Sequence, residues 1–446
     1  MDANAAFIER EIEWFTDAVQ FRMQRHSGDE RLPDPLALEP PDLVADSPYA
    51  QVIARLELEP EERLILMLAF LPHIHPRVLD LFLIQNEALQ RRFTEFGGVT
   101  DPASGSFLPT GETALFLLAG DDVASRLHFR SLFDPSHRLF TENVLRLDAR
   151  SADQPQLAGA LHLTAEYVER LASGREYQPP YGTGFPAQRL TTTYEWDDLI
   201  LDRATREEVE DMISWARYEE TLLVHWNLER RIKPGFRALF YGPPGTGKTL
   251  TASLLGKVTR RPVYRIDLSK VISKWIGETE KNLASVFDEA QHQRWILFFD
   301  EAEALFGKRT ETRNANDRAA NQQVSYLLQR IEGFPGIIIL ATNLQRHLDE
   351  AFARRFQSMI RFPLPAPEQR LHLWEANFRD MPLAADVDLR SLAMDHELSG
   401  GSIVNVLRYA CLRGVSRDPR EIRQPDLVRG IEREMNKEGR FLEARR

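Results

Sequence analysis

The sequence predicts an α/β fold: a parallel sheet flanked by helices, preceded by a mainly helical region and followed by a helical one. Three observations predict it. From about residue 196, short apolar strands alternate with amphipathic helical patterns, the rhythm of a parallel sheet with crossover helices. Residues 237–241, 295–299 and 336–341 are mostly apolar runs, as strands buried on both faces must be. Each run ends on glycine or polar residues, at the strand end where open α/β sheets bind ligands.

Composition bounds the rest. The 446 residues are 43% hydrophobic, which suits two to four domains with real cores and excludes global disorder. The lone cysteine, Cys411, excludes an internal disulfide framework and a cysteine-based zinc site. The longest unbroken apolar run, residues 64–71, is far short of a membrane span. Acidic residues follow the first methionine at once, unlike a secretory signal. The expectation is a soluble cytoplasmic protein with no membrane partner. A net charge of −11 speaks against nucleic acid as the main partner, because phosphate contacts dominate such affinity.

Residues 1–26 read as an amphipathic helix, with Ile8, Ile12, Phe15, Val19 and Met23 on one stripe. Residues 27–47 carry Pro33, Pro35, Pro40 and Pro41 and read as an extended linker. Residues 48–176 read as an N-terminal adaptor domain, with helices over 61–71, 78–89, 121–133 and 165–171. A turn-rich stretch over 93–111 reads as a small β-wing, so a winged-helix-like arrangement is expected. Winged helices often bind DNA, but 12 arginines and no lysine stand here against 18 acidic residues, which favours protein docking. The pair His73 and His75, between Pro72 and Pro76 and with no third ligand nearby, reads as a turn rather than a metal site. Residues 177–195, rich in proline and glycine, form a second linker. The α/β part spans 196–365, and helices over 368–378, 389–394, 402–412 and 427–435 fill 366–446.

The strand at 237–241 runs directly into Gly242-Pro243-Pro244-Gly245-Thr246-Gly247-Lys248-Thr249 and then a helix. This is a full G-x-x-x-x-G-K-[ST] phosphate loop in its strand–loop–helix context. Its glycines allow the backbone to approach a phosphate, and its amides and the helix N-terminus face the anion. Lys248 supplies a point charge, and the Thr249 hydroxyl is a Mg²⁺ ligand. Asp300 and Glu301, at the end of the 295–299 strand, divide naturally: Asp300 holds the Mg²⁺ shell and Glu301 polarises the attacking water. Asn343, at the end of the third strand, orients water and reads the γ-phosphate. ATP and Mg²⁺ are therefore the expected cofactors.

This order of phosphate loop, Asp-Glu strand end, Asn-ended strand and following arginine pair resembles the AAA+ ATPases, and more narrowly the AAA clade that remodels proteins. The resemblance covers roughly residues 196–435. It implies a nucleotide-binding core with a C-terminal helical lid, assembled as a homohexameric ring around a protein client. Lys274-Trp275-Ile276-Gly277 matches the clade's first pore loop, where Trp275 and Ile276 would grip extended polypeptide and Gly277 would let the loop swing. Trp replaces the commoner Tyr. Arg354 and Arg355 match the trans-acting arginine fingers, although the spacing departs from the longer Arg-Pro-Gly-Arg version and leaves open which one is the finger. Gly401, within Ser399-Gly400-Gly401-Ser402, matches the small-residue lid position close to the nucleotide. Residues 198–201 fall where the adenine would be contacted, and 308–317 where a second pore loop would lie. The segments 107–114 and 316–324 also resemble ATPases encoded with bacterial contractile injection systems.

Three functions follow from the sequence, in order of preference. The first is a ring-forming ATPase that unfolds or disassembles protein complexes. The second is an ATP-dependent assembly switch or scaffold that does not thread a client. The third is a nucleic-acid motor.

Overall fold

The computed structural model describes residues 2–28, 34–86, 90–148, 154–182, 185–268, 278–303, 325–343, 354–437 and 439, with only the backbone of 278–282. The Trp275 pore tip, the 308–317 loop and most of the segment leading into Arg354 lie outside these residues. The chain divides into two compact units, Met1–Pro179 and Pro180–Arg446.

In the first unit, helix α1 (Ala3–His26) starts at Asp2, whose side chain accepts the Asn4 N–H, and carries Arg25 and His26 in its last turn. It is no separate element. Phe7, Trp14, Phe15, Ala18 and Val19 are buried in the same core as α2 (Pro48–Leu56) and α3 (Pro60–Ile74). The stripe read from the sequence is therefore off-phase, with Ile8, Ile12 and Met23 only flanking the core. Charged side chains cause the error. Glu11 is buried beside Arg63, and Arg22 donates to the Leu117 and Leu118 carbonyls at 2.8 and 2.7 Å. Residues 34–47 are not a free tether either: Pro35 is buried, and the Trp14 indole donates to Leu38 O.

The helix expected over 78–89 is instead a 3₁₀ segment, Pro76–Leu83, followed by strand β1 (Gln85–Asn86) paired with β2 (Arg91–Arg92). Two more short antiparallel pairs follow, β3 (Val99–Thr100) with β4 (Phe107–Leu108), and β5 (Leu145–Leu147) with β6 (Leu161–Leu163). The first of these falls where the wing was expected. The helices α4 (Gly111–Ala119), α5 (Val123–Phe129), α6 (Arg138–Thr141) and α7 (Ala165–Ser173) complete the unit. Among the described residues no single helix is long and apolar enough to cross a membrane, and 64–71 is core.

The second unit is built on a six-stranded sheet of order β12-β8-β11-β10-β9-β7. Its strands are β7 (Ala187–Leu190), β8 (Phe236–Tyr241), β9 (Val263–Asp267), β10 (Ile296–Asp300), β11 (Ile337–Thr342) and β12 (Ser358–Arg361). Five are parallel, and β7 runs antiparallel along β9 at one edge. Alternate residues of the apolar strands feed two cores. Ile296 and Phe298 face the layer of α8 (Arg203–Glu220) and α9 (Lys248–Thr259), while Leu297 and Phe299 face that of α10 (Glu278–His292). Hence the continuous apolar runs. Part of the second linker is strand β7, clamped where Phe185 meets Tyr264 and Trp295 edge-on. The helices α11 (Pro367–Phe378), α12 (Leu389–Asp395), α13 (Gly400–Val415) and α14 (Gln424–Lys437) form a lid around Trp374, Phe378 and Ile403.

Candidate nucleotide site

The parallel register sets the site. Tyr241 of β8 lies opposite Thr342 of β11, and Phe299 of β10 opposite Leu340 of β11. The loop after β8, the carboxylates after β10 and Asn343 after β11 thus emerge at one sheet edge. They line a cleft of about 800 Å³, a size suited to a small ligand, together with residues 198–202 and the lid residues Gly400, Gly401 and Val404.

Two loop glycines are dictated by space. A Cβ on Gly242 would meet Phe362 O at 2.1 Å, and one on Gly245, at φ 75°, would meet Ser399 Oγ at 2.5 Å. The second contact arises because the lid touches the loop: Gly401 N–H donates to Gly245 O at 2.9 Å, and a Cβ on Gly401 would lie 3.0 Å from Gly245 Cα. Pro243, Pro244 and Thr246 complete the loop, with the Thr246 hydroxyl donating to Pro243 O. Gly247, at φ 100°, caps α9.

Lys248 is buried and folds back on the loop. Its Nζ donates to Gly242 O, Pro243 O and Asn343 Oδ1 at 2.7, 2.9 and 2.9 Å. Burial lowers its pKa to about 8, and the nearby charges of Asp300 and Glu303 oppose that shift. Asn343 is thereby tied to the phosphate loop.

Asp300 is half-buried and both its oxygens are engaged. Oδ1 accepts the Glu301 N–H at 3.0 Å, and Oδ2 pairs with Arg265 Nη2 at 2.9 Å. Glu301 is exposed on the cleft and adopts φ 53°, a left-handed conformation uncommon for a side-chain-bearing residue. Glu303 carries a buried Oε2 with no hydrogen-bond partner. For Mg²⁺ the donors that line the cleft fit: the Thr249 hydroxyl and the Asp300 carboxylate are hard oxygen ligands.

The geometry unites Gly242 through Thr249, Asp300, Glu301, Asn343 and Gly401. It does not bring in the arginine pair. Arg354 is exposed, Arg355 pairs with Glu332 at 2.5 Å, and neither lines the cleft of its own chain. Two charged neighbours of the site escaped the sequence reading. Arg265 reads as an ordinary strand residue, since its partner is set by register. Glu303 sits in the same acidic run as Asp300 and Glu301, a signal that was available. Among the described residues no cluster of three or more His, Cys, Asp or Glu is placed to hold a metal, at His73 and His75 or elsewhere.

Comparison with known proteins agrees with this architecture. Residues 238–364 match the ATPase family associated with various cellular activities (AAA). The chain is 32% identical over 214 residues to a proteasome-activating nucleotidase of Methanopyrus kandleri, covering 46% of this chain and 49% of that one. It is 34% identical over 214 residues to that of Archaeoglobus fulgidus, covering 46% and 54%. An uncharacterized AAA family ATPase of Sinorhizobium fredii is 28% identical over 249 residues, covering 55% and 73%. The chain thus spans about half the length of the two nucleotidases it matches. With its phosphate loop, carboxylate pair and strand-end asparagine in one cleft, the stretch 238–364 is similar to the AAA ATPase domains that this family model describes.

Proposed function

We propose that the chain hydrolyses ATP as a ring of identical copies and uses the turnover to remodel a protein client. The convergence of Lys248, Asp300, Glu301 and Asn343 on one cleft carries this reading. Lys248 leaves its loop carbonyls for the outer phosphates. Thr249 and Asp300 are the residues that would hold Mg²⁺, which when bound would supply positive charge against those phosphates. Glu301 polarises the attacking water, and Asn343, already bonded to Lys248, orients it beside the phosphate. Gly401 couples the lid to the loop's state through its bond to Gly245.

Arg354 or Arg355 completes the site of the adjoining copy, which accords with both lying away from their own cleft. The client role draws on the resemblance of residues 274–277 to a pore loop and on the relatives' name, proteasome-activating nucleotidase. A component of a contractile injection system is the client to test first, on the resemblance of 107–114 and 316–324. Glu301→Gln tests the chemistry: it should lower turnover by about 10²–10⁴-fold while ATP stays bound. Turnover at the parent rate would show that Glu301 is not the base.

A further inference from the structure

The Arg265–Asp300 pair has a place in the site that no phosphate-loop argument assigns. Arg265 lies on β9, two residues before Asp267, so both side chains leave the same face of the strand. Asp267 is in register with Asp300. This end of the sheet therefore sets Asp267 beside Asp300, with Glu301 next in the chain, and Arg265 is the guanidinium that meets Asp300 directly.

The pair is poorly explained as a folding contact. Arg265 Nε is buried with no hydrogen-bond partner, a desolvation that half-exposed ion pairing does little to offset. Its placement is firm all the same, because β9 is held on one side by β10 and on the other by β7, where Gln188 lies opposite Arg265. What the pair does settle is the direction of Asp300. With Oδ2 drawn to the guanidinium, Oδ1 is turned to the Glu301 N–H, the bond that stabilises Glu301 in its left-handed conformation.

We propose that Arg265 is a positioning residue for hydrolysis: it holds Asp300 so that Glu301 faces the cleft, and it competes with Mg²⁺ for Asp300 Oδ2. The turnover half of this rests on the ATPase reading above. The competition half concerns cation and nucleotide binding alone. A cation beside a carboxylate weakens that carboxylate's attraction for a second cation, and an outer partner that orients a ligand commonly governs activity.

The test compares the full-length parent with Arg265→Gln and Arg265→Lys. A fluorescent ATP analogue reports binding in EDTA and during Mg²⁺ titration, and steady-state kinetics report kcat and KM. In EDTA the Gln variant should bind the analogue within about twofold of the parent, since the phosphate loop is untouched. Its kcat should fall about 10- to 100-fold with KM within about threefold. Its Mg²⁺ midpoint should drop about threefold or more, because the competing cation is gone. Lys, which keeps the charge, should return both quantities towards the parent. The proposal is overturned by a Gln variant with the parent's kcat, by loss of EDTA binding together with kcat, or by a Lys variant no better than Gln. Should the parent itself fail to turn over ATP, the ATPase reading falls, and an unmoved Mg²⁺ midpoint would still overturn the competition on its own.

Discussion

Lys248 shows how one side chain is prepared for its ligand. Burial holds its ammonium well below the usual lysine value, at a pKa of about 8, and the loop carbonyls and Asn343 Oδ1 accept its hydrogen bonds meanwhile. A bound polyanion must raise that pKa. Binding therefore takes up protons from near pH 8 upwards, where the free site has lost its proton and the occupied site keeps it. Titration calorimetry at pH 8 in buffers of different ionisation enthalpy should show uptake of about half a proton per nucleotide, and affinity should weaken as pH rises further. Zero uptake there would mean that Lys248 does not meet the phosphates. Asp300 and Glu301 are prepared in the same manner, through a hydrogen bond between neighbours and an unusual backbone angle. The sequence discloses the identities of these residues because the motif is local. It does not disclose Arg265, whose role depends on two strands being neighbours. The charges on Glu11 and Arg22 likewise misled the reading of α1, since burial of a charge is legible only once its partner, Arg63 of α3 for Glu11, is known.

At the scale of elements, β8, β10 and β11 were legible because strands buried on both faces are nearly continuous apolar runs, with the buried Arg237 near the start of β8 as the exception. β7 was not. Four residues, Ala187–Leu190, with exposed Gln188 among them, carry no period a reader could detect, and only pairing with β9 makes them a strand. The 3₁₀ segment Pro76–Leu83 has an apolar pattern compatible with an α-helix, so pattern alone could not separate the two. The lid helices were legible by their period, yet the contact that gives α13 its importance is backbone to backbone, Gly401 to Gly245. Gly401→Val should push the lid off the loop and weaken nucleotide binding by about tenfold or more, roughly 1.4 kcal/mol, while the thermal midpoint moves little. Equilibrium binding beside a thermal melt checks this, and undiminished affinity would mean the lid contact is incidental.

For the whole molecule, the proposed reading has each cleft bind nucleotide by itself and turn it over only with an arginine from a neighbouring copy. Lys248, Asp300, Glu301 and Asn343 share the cleft, whereas Arg354 and Arg355 stand outside it. An arginine that reaches a neighbour's pocket links turnover to assembly, and such fingers contribute on the order of 10³–10⁵ in rate in well-studied nucleotidases. Mixing copies that carry Arg354→Ala and Arg355→Ala with copies that carry Glu301→Gln tests this dependence most directly. Each variant alone should be nearly silent, and the mixture should regain turnover wherever an intact Glu301 meets a neighbour's intact arginines. A mixture as silent as its components, or a strictly monomeric parent working at full rate, would contradict the account.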